Sequence, residues 1–260
     1  MQLDFQRRKF DFFALFLLGF CLIGVLVTPH DPMAQDFRDQ ALQGPSLVHW
    51  LGVDGLGRDF ASRLWQGAGN TVLLAGTGMA ITLLLASGLV SLEQAGPAWC
   101  GRFIRTDICL WVALPVIFIG LLLLVFLKPS PGALVLAIGF GNLAFSFRQL
   151  RVLWITVRSA LYVRSSEVLG SRGWKLFKWA ILPNLKPDVL ALGRLLFAMS
   201  ALELSGLAFL GLIGDPDFAE LGSILKQNQA YLFQAPMLVV LPGAILSLLL
   251  LSVHLSRSEQ

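Results

Sequence analysis

The run from Asn70 to Leu92 is 23 residues long and contains no charged side chain. As a helix rising 1.5 Å per residue it spans a hydrocarbon core of about 30 Å. Inside lipid every backbone N–H and C=O must be satisfied by the segment itself or by a closed barrel, so a run this apolar and this long reads as a transmembrane helix. Five more apolar stretches share its character: Phe12 to Val27, Ile108 to Leu127, Gly132 to about Phe147, Val189 to about Ile213, and Met237 to Leu255. With 56% hydrophobic and only 14% charged residues, the chain has too few polar groups to cover a soluble globule. The expectation is an all-α membrane protein with six transmembrane helices.

Charge orients these spans. Fourteen of the twenty Lys and Arg residues fall in segments that six spans place on one side: Arg7, Arg8, Lys9, Arg102, Arg105, eight between Arg148 and Lys186, and Arg257. Five fall on the other side: Arg38, Arg58, Arg63, Lys128 and Lys226. Basic loops stay in the cytoplasm, so both termini are expected inside and the stretch from Thr28 to about Gly67 outside. Arg7-Arg8-Lys9 ahead of an apolar run also fits a signal peptide. However, Thr28-Pro29-His30-Asp31-Pro32 follows in place of a small-residue cleavage site, which favours an uncleaved first span. Cys21, Cys100 and Cys109 have no paired spacing and read as packing residues. The basic excess reports orientation and implies no nucleic-acid partner.

The segment Arg148 to Lys186 is the one long polar interruption late in the chain. Its glycines, Gly170 and Gly173, permit a turn between two helical pieces, and Leu182-Pro183 marks the end of the second. Tyr162-Val163-Arg164-Ser165-Ser166-Glu167-Val168-Leu169-Gly170, followed by Ile181-Leu182-Pro183-Asn184, resembles the EAA loop of ABC-importer permeases. Ser165 and Ser166 stand where that loop has small alanines, and Arg164 stands where its name-giving Glu would be. The resemblance implies that Arg164 to Gly170, with Leu182 and Pro183, form a coupling helix that docks on an ATPase subunit. Val163, Val168 and Leu169 would be its apolar anchor. A basic loop that only holds anionic lipid accounts for the charge but not for the Gly and Leu-Pro spacing.

A second resemblance lies outside. His49-Trp50-Leu51-Gly52-Val53-Asp54-Gly55-Leu56-Gly57-Arg58-Asp59 is similar to the H-x-L-G-T-D-x-x-G-R-D signature of dipeptide, oligopeptide and nickel permeases, with Val53 in place of Thr. Gly52 and Gly57 suit tight turns, and Asp54, Arg58 and Asp59 are candidates to pair and fix the loop. Leu204 to Gly214 resembles the S-F-L-G-L-G ending of the family's fifth span. Within that span Arg194 and Glu203 are the intramembrane ionisable groups, nine residues apart and on opposite faces; such residues mark transport paths.

The resemblance implies a type I ABC importer permease, with an N-terminal segment, first span and outer loop over 1–68 and the permease domain over 69–257, the coupling loop being 148–186. It also implies partners: a sister permease, two ATP-binding subunits and an extracytoplasmic substrate-binding protein, in a bacterial inner membrane. The substrate would be a peptide, or nickel or a metal chelate. No lysine follows a glycine, so the chain lacks a phosphate-cradling Walker A loop, and ATP with its Mg would sit on the partners. No catalytic residue or metal ligand is expected. His30, His49 and His254 are scattered and read as surface or interface residues. The competing class is a stand-alone ion-coupled carrier or a membrane-embedded enzyme.

Overall fold

The computed structural model describes residues 16–35, 37, 39, 41–97, 101, 102, 104 and 115–255. The N-terminal basic cluster, Arg105, Cys100, Cys109 and the tail with Arg257 lie outside the described residues. Those that are described form helices and connecting loops, with a single two-residue β-bridge, Val53 to Asp59.

Helix α1 covers Phe16–Leu26. α2 covers Phe60–Ala95, α3 Val116–Phe126, α4 Pro131–Gly141 and α5 Leu143–Ser159. α6 covers Leu161–Val168 and α7 Gly173–Leu176, which runs through a π-helical turn at Phe177–Ile181 into α8, Leu182–Phe209. α9 covers Leu221–Asn228 and α10 Met237–Leu255. Among the described residues, two helical runs are long and apolar enough to cross a membrane, Phe60–Gln94 and Gly173–Phe209, and α4 with α5 makes a third if the bent pair is one span. Phe16–Leu26, Val116–Phe126 and Met237–Val253 are apolar but shorter.

The core is built around α2 and α8. Phe60, Leu64, Ala68 and Val72 on α2 pack with Phe197 and Ala201 on α8 and with Leu238 and Leu249 on α10. Lower on the same two helices, Ala86, Val90, Leu192 and Leu196 close around Phe147 and Leu150 of α5. A third cluster joins Leu134 and Ile138 of α4 to Leu204 and Leu207 of α8. These helices are apolar nearly all round, as expected where both lipid and protein neighbours are apolar.

The α4–α5 pair bends by 44° at Asn142, where Gly139 and Gly141 lower helix propensity and let neighbouring elements approach closely. The sequence predicts a bend or close approach there, and the structure has both.

The stretch around Leu182-Pro183 departs from the sequence reading. No helix ends there; the helical run from Gly173 to Phe209 continues through it. Pro183 has no N–H to give and its ring crowds the carbonyl four residues earlier, Trp179. The wide π turn just before it, in which Leu182 N–H donates to the Phe177 carbonyl, relieves that crowding without breaking the helix. The fifth apolar helix therefore begins well before Val189.

Candidate functional site

The outer signature loop folds on itself through its glycines. Gly52 (φ 85°) and Gly57 (φ 79°) occupy the left-handed region that side chains avoid, which lets Val53 and Asp59 pair across a tight turn. Asp54 organises that turn: its Oδ1 accepts from the N–H groups of Leu56 and Arg58, both at 2.9 Å, and its Oδ2 accepts from Arg58 Nε at 2.8 Å. Arg58 and Asp54 are 1% and 0% exposed. A buried pair of this kind tolerates its desolvation only because other bonds complete it.

Those bonds come from a second loop 150 residues away. Arg58 donates to Asp217 Oδ1 at 3.0 Å and to Gln227 Oε1 at 2.7 Å. Arg63, one turn into α2, donates to the same Gln227 Oε1 at 2.8 Å and to the Asp217 carbonyl at 3.1 Å.

Asp59 does not join this network. It caps α2, its Oδ2 accepting from Ser62 N–H at 2.9 Å, while its Oδ1 meets His49 Nδ1 at 2.8 Å. Burial alone would raise the Asp59 carboxyl, but the bonds from Ser62 and His49 outweigh it and hold the group below its ordinary value. Thus Asp54 and Arg58 pair as the sequence reading allows, whereas Asp59 acts separately. His49 is not a surface residue: it is buried, against Phe37 with ring centroids 4.3 Å apart.

The second loop is fastened to the helices through Glu220, which sequence reasoning missed. Its Oε1 accepts from Thr71 Oγ1 of α2 at 3.0 Å and Ser205 Oγ of α8 at 2.6 Å, and its Oε2 accepts from Ser223 N–H at 3.0 Å, capping α9. Burial pushes this carboxyl up, against the pull of Ser205, Ser223 and Thr71. Gly222 rests directly on the Ser205 backbone, so closely that a Cβ would collide with its carbonyl. Glu220 escaped notice because it lies in a loop whose match to the family pattern is weakest, and nothing local marks an acid there as buried.

At the other end of the chain's polar map, α6 ends as the glycine predicts. Gly170 has φ 88°, its N–H donates to the Glu167 carbonyl at 2.9 Å, and Ser171 N–H donates to the Ser166 carbonyl at 3.0 Å. This pattern closes a helix with glycine just past its end. Glu167 bonds Arg158 of α5 at 2.5 Å, a partner the sequence reading did not assign, and that bond holds its carboxyl below the usual range. Val168 and Leu169 are 88% and 86% exposed. Val163 is fully buried in a small core with Val157, Leu176, Ala180 and Ile181, so of the three residues expected to form an apolar anchor only Val168 and Leu169 are exposed. Arg164, Ser165 and Ser166 lie on the same helix, exposed, or nearly so in the case of Ser166, and Leu182 and Pro183 sit past the π turn on α8.

In the interior, Glu203 Oε2 accepts from Asn142 Nδ2 at 2.6 Å, at the break between α4 and α5. Arg194 is partly buried on α8, nine residues earlier. Around the Asn142–Glu203 pair, Asn142 Oδ1, Ser146 Oγ and Ser200 Oγ are buried with no hydrogen-bond partner among the described residues.

Comparison with known proteins shows the family of this chain. Residues 88–257 match the family described as binding-protein-dependent transport system inner membrane component. The chain is 31% identical to the di/tripeptide transport system permease protein DppC of Pseudomonas aeruginosa over 93% of its own length and 82% of that protein's. It is 26% identical to the glutathione transport system permease protein GsiD of Pectobacterium atrosepticum, over 94% and 81% of the two lengths. It is 28% identical to the probable D,D-dipeptide transport system permease protein DdpC of Escherichia coli, over 84% and 73%. A crystal structure of an amino acid ABC transporter with histidines superposes with a TM-score of 0.63 at 16% identity, covering 75% of this chain and 91% of that one, which supports the fold alone. The chain belongs to the binding-protein-dependent transport system inner membrane component family: it is a permease subunit of an ABC transporter and not an enzyme.

Proposed function

We propose that this permease imports short peptides, with six spans and both termini in the cytoplasm. The observation that carries the reading is the pairing of two opposite polar ends: an outer clamp in which Arg58 and Arg63 tie the signature loop to the loop at Asp217 and Gln227, and an inner helix α6 with Val168 and Leu169 exposed. The clamp offers a binding protein one rigid outer surface. The exposed tip beside Arg164 and the Glu167–Arg158 pair has the apolar centre and charged rim of a docking surface, and an ATP-binding subunit is its proposed occupant. A sister permease completes the path. Asn142 Oδ1, Ser146 Oγ and Ser200 Oγ, buried polar atoms that water or substrate in such a path would satisfy, support a path beside Glu203.

Of the substrate alternatives, peptide is favoured over nickel and metal chelates because the relatives named above are peptide and glutathione permeases. Glu203, an acid held at a helix break, is the group placed to sense a charged substrate. The test is uptake of labelled dipeptide by cells lacking this chain and by cells complemented with it. Complementation is expected to restore uptake, excess unlabelled peptide to compete, and Glu203→Gln to lower uptake with the protein still in the membrane. Dipeptide uptake that is indifferent to the chain would overturn the peptide reading.

A further inference from the structure

His30, His49 and Asp59 come from three separate places in the chain: the stretch just after α1, the signature loop, and the residue that caps α2. In the fold their donor atoms all lie within 4.8 Å of one another, and they are the one such group among the described residues. Each is fixed by its backbone. His30 N–H donates to Ser62 Oγ at 3.0 Å, His49 N–H donates to Ser46 Oγ at 3.0 Å, and Asp59 is anchored by Ser62 N–H through Oδ2.

Ordinary packing leaves two features of this group unexplained. His30 Nδ1 is buried and has no hydrogen-bond partner. It faces Asp59 Oδ2 at 3.8 Å, too far for a hydrogen bond. Two ligand atoms each about 2.0–2.2 Å from one ion stand at most about 4.4 Å apart, so 3.8 Å fits a shared cation better than it fits a direct contact. Asp59 can reach such an ion: Oδ2 accepts one bond from Ser62 N–H and keeps a second lone pair on the side of His30, and Oδ1 is held only by the His49 ring at 2.8 Å.

We propose that His30, His49 and Asp59 form a binding site for a borderline divalent cation of the zinc class on the outer face of this permease. Two imidazoles and one carboxylate are the donor set that such a cation prefers over calcium or magnesium, which take oxygen cages. Binding replaces the His49 Nδ1–H···Asp59 bond with two metal–ligand bonds, and the ring proton moves from Nδ1 to Nε2 by exchange with solvent, so a neutral imidazole ligates with no net proton release. The His30 ring, 35% exposed, supplies the small rotation that closes the widest gap. A fourth position opens to the exterior through a cavity of about 290 Å³ lined by Leu47, Val48, Trp50 and Ala61 together with His30 and Asp59. The bound ion acts as a staple, tying the end of α1 to the signature loop and the start of α2. The site is independent of which substrate the permease carries.

The experiment is equilibrium dialysis of the full-length chain in detergent against micromolar Zn²⁺, followed by metal analysis, with Co²⁺ absorption spectra on the same samples. The wild type is expected to retain about one Zn²⁺ per chain, and His30→Ala to bind at least about tenfold more weakly, since even indirect partners of a metal ligand cost that much. His30→Gln serves as a second variant, and an unchanged unfolding temperature of both in chelator shows that the fold is intact. The Co²⁺ spectrum is expected to show nitrogen and oxygen ligation without a thiolate charge-transfer band. Failure of the wild type to retain zinc, retention unaffected by both variants, or a thiolate band pointing to the cysteines would each overturn the site.

Discussion

At the scale of single residues, the signature loop depends on one buried carboxylate. Asp54 satisfies two backbone N–H groups and the Arg58 side chain at once, and Arg58 passes that order on to Asp217 and Gln227. Removing Asp54 leaves a guanidinium that is 1% exposed without its main counter-charge. Breaking a buried pair from one side costs about 3–5 kcal/mol, far more than the pair's net worth against apolar groups of equal size. Asp54→Ala is therefore expected to lower the unfolding free energy of the purified chain by about that amount in a denaturant titration. A loss below about 1 kcal/mol would mean that the loop is held by its glycine turns alone. The sequence pattern named Asp54, Arg58, Gly52 and Gly57 because turn chemistry is local. It did not show that Asp217 and Gln227 bond Arg58 or that Glu220 bonds Thr71, since partners more than 140 residues apart leave no spacing to read.

At the scale of elements, the short helix α6 separates residues that look equivalent in sequence. Val163 and Val168 are five positions apart on one short helix, yet the first is buried between α5, α7 and the π turn and the second is open. An acid at Val163 would be buried without a partner, whereas at Val168 it would remain in water until a partner arrived. Val163→Asp is expected to destabilise the chain, and Val168→Asp to change stability by less than about 0.5 kcal/mol while reducing co-purification of ATP-binding subunits. Thermal unfolding and pull-down on the two variants give the comparison. Equal behaviour in both assays would contradict the assignment of faces. The sequence reading grouped the two valines because periodicity over eight residues cannot tell which face meets a neighbouring helix. It placed the Gly170 cap correctly because a left-handed residue after a helix almost demands glycine. It misplaced the helix end at Leu182-Pro183 because proline signals a break, and the local remedy of a π turn has no sequence mark of its own.

At the scale of the whole molecule, the apolar runs foretold an all-helical membrane protein, and α2 with α8 forms the axis on which the others pack. The two long helices and the bent pair follow from composition, but the reach of α8 back through Leu182-Pro183 to the π turn depends on local geometry that hydropathy does not encode. The same axis links the two polar ends: α2 starts at the outer clamp, and α8 runs from the π turn beside α6 out to Ser205, where it bonds Glu220. The π turn on which α6 packs thus leads by one continuous helix to the loop at Glu220. The contact proposed for α6 is an ATP-binding subunit. Substrate-stimulated ATP hydrolysis by the reconstituted complex carrying Gly170→Arg tests it most directly, because the left-handed backbone at Gly170 (φ 88°) and open space around it confine the damage to the tip. Stimulated hydrolysis is expected to be abolished with the chain still folded and inserted; stimulation at the wild-type level would contradict the account.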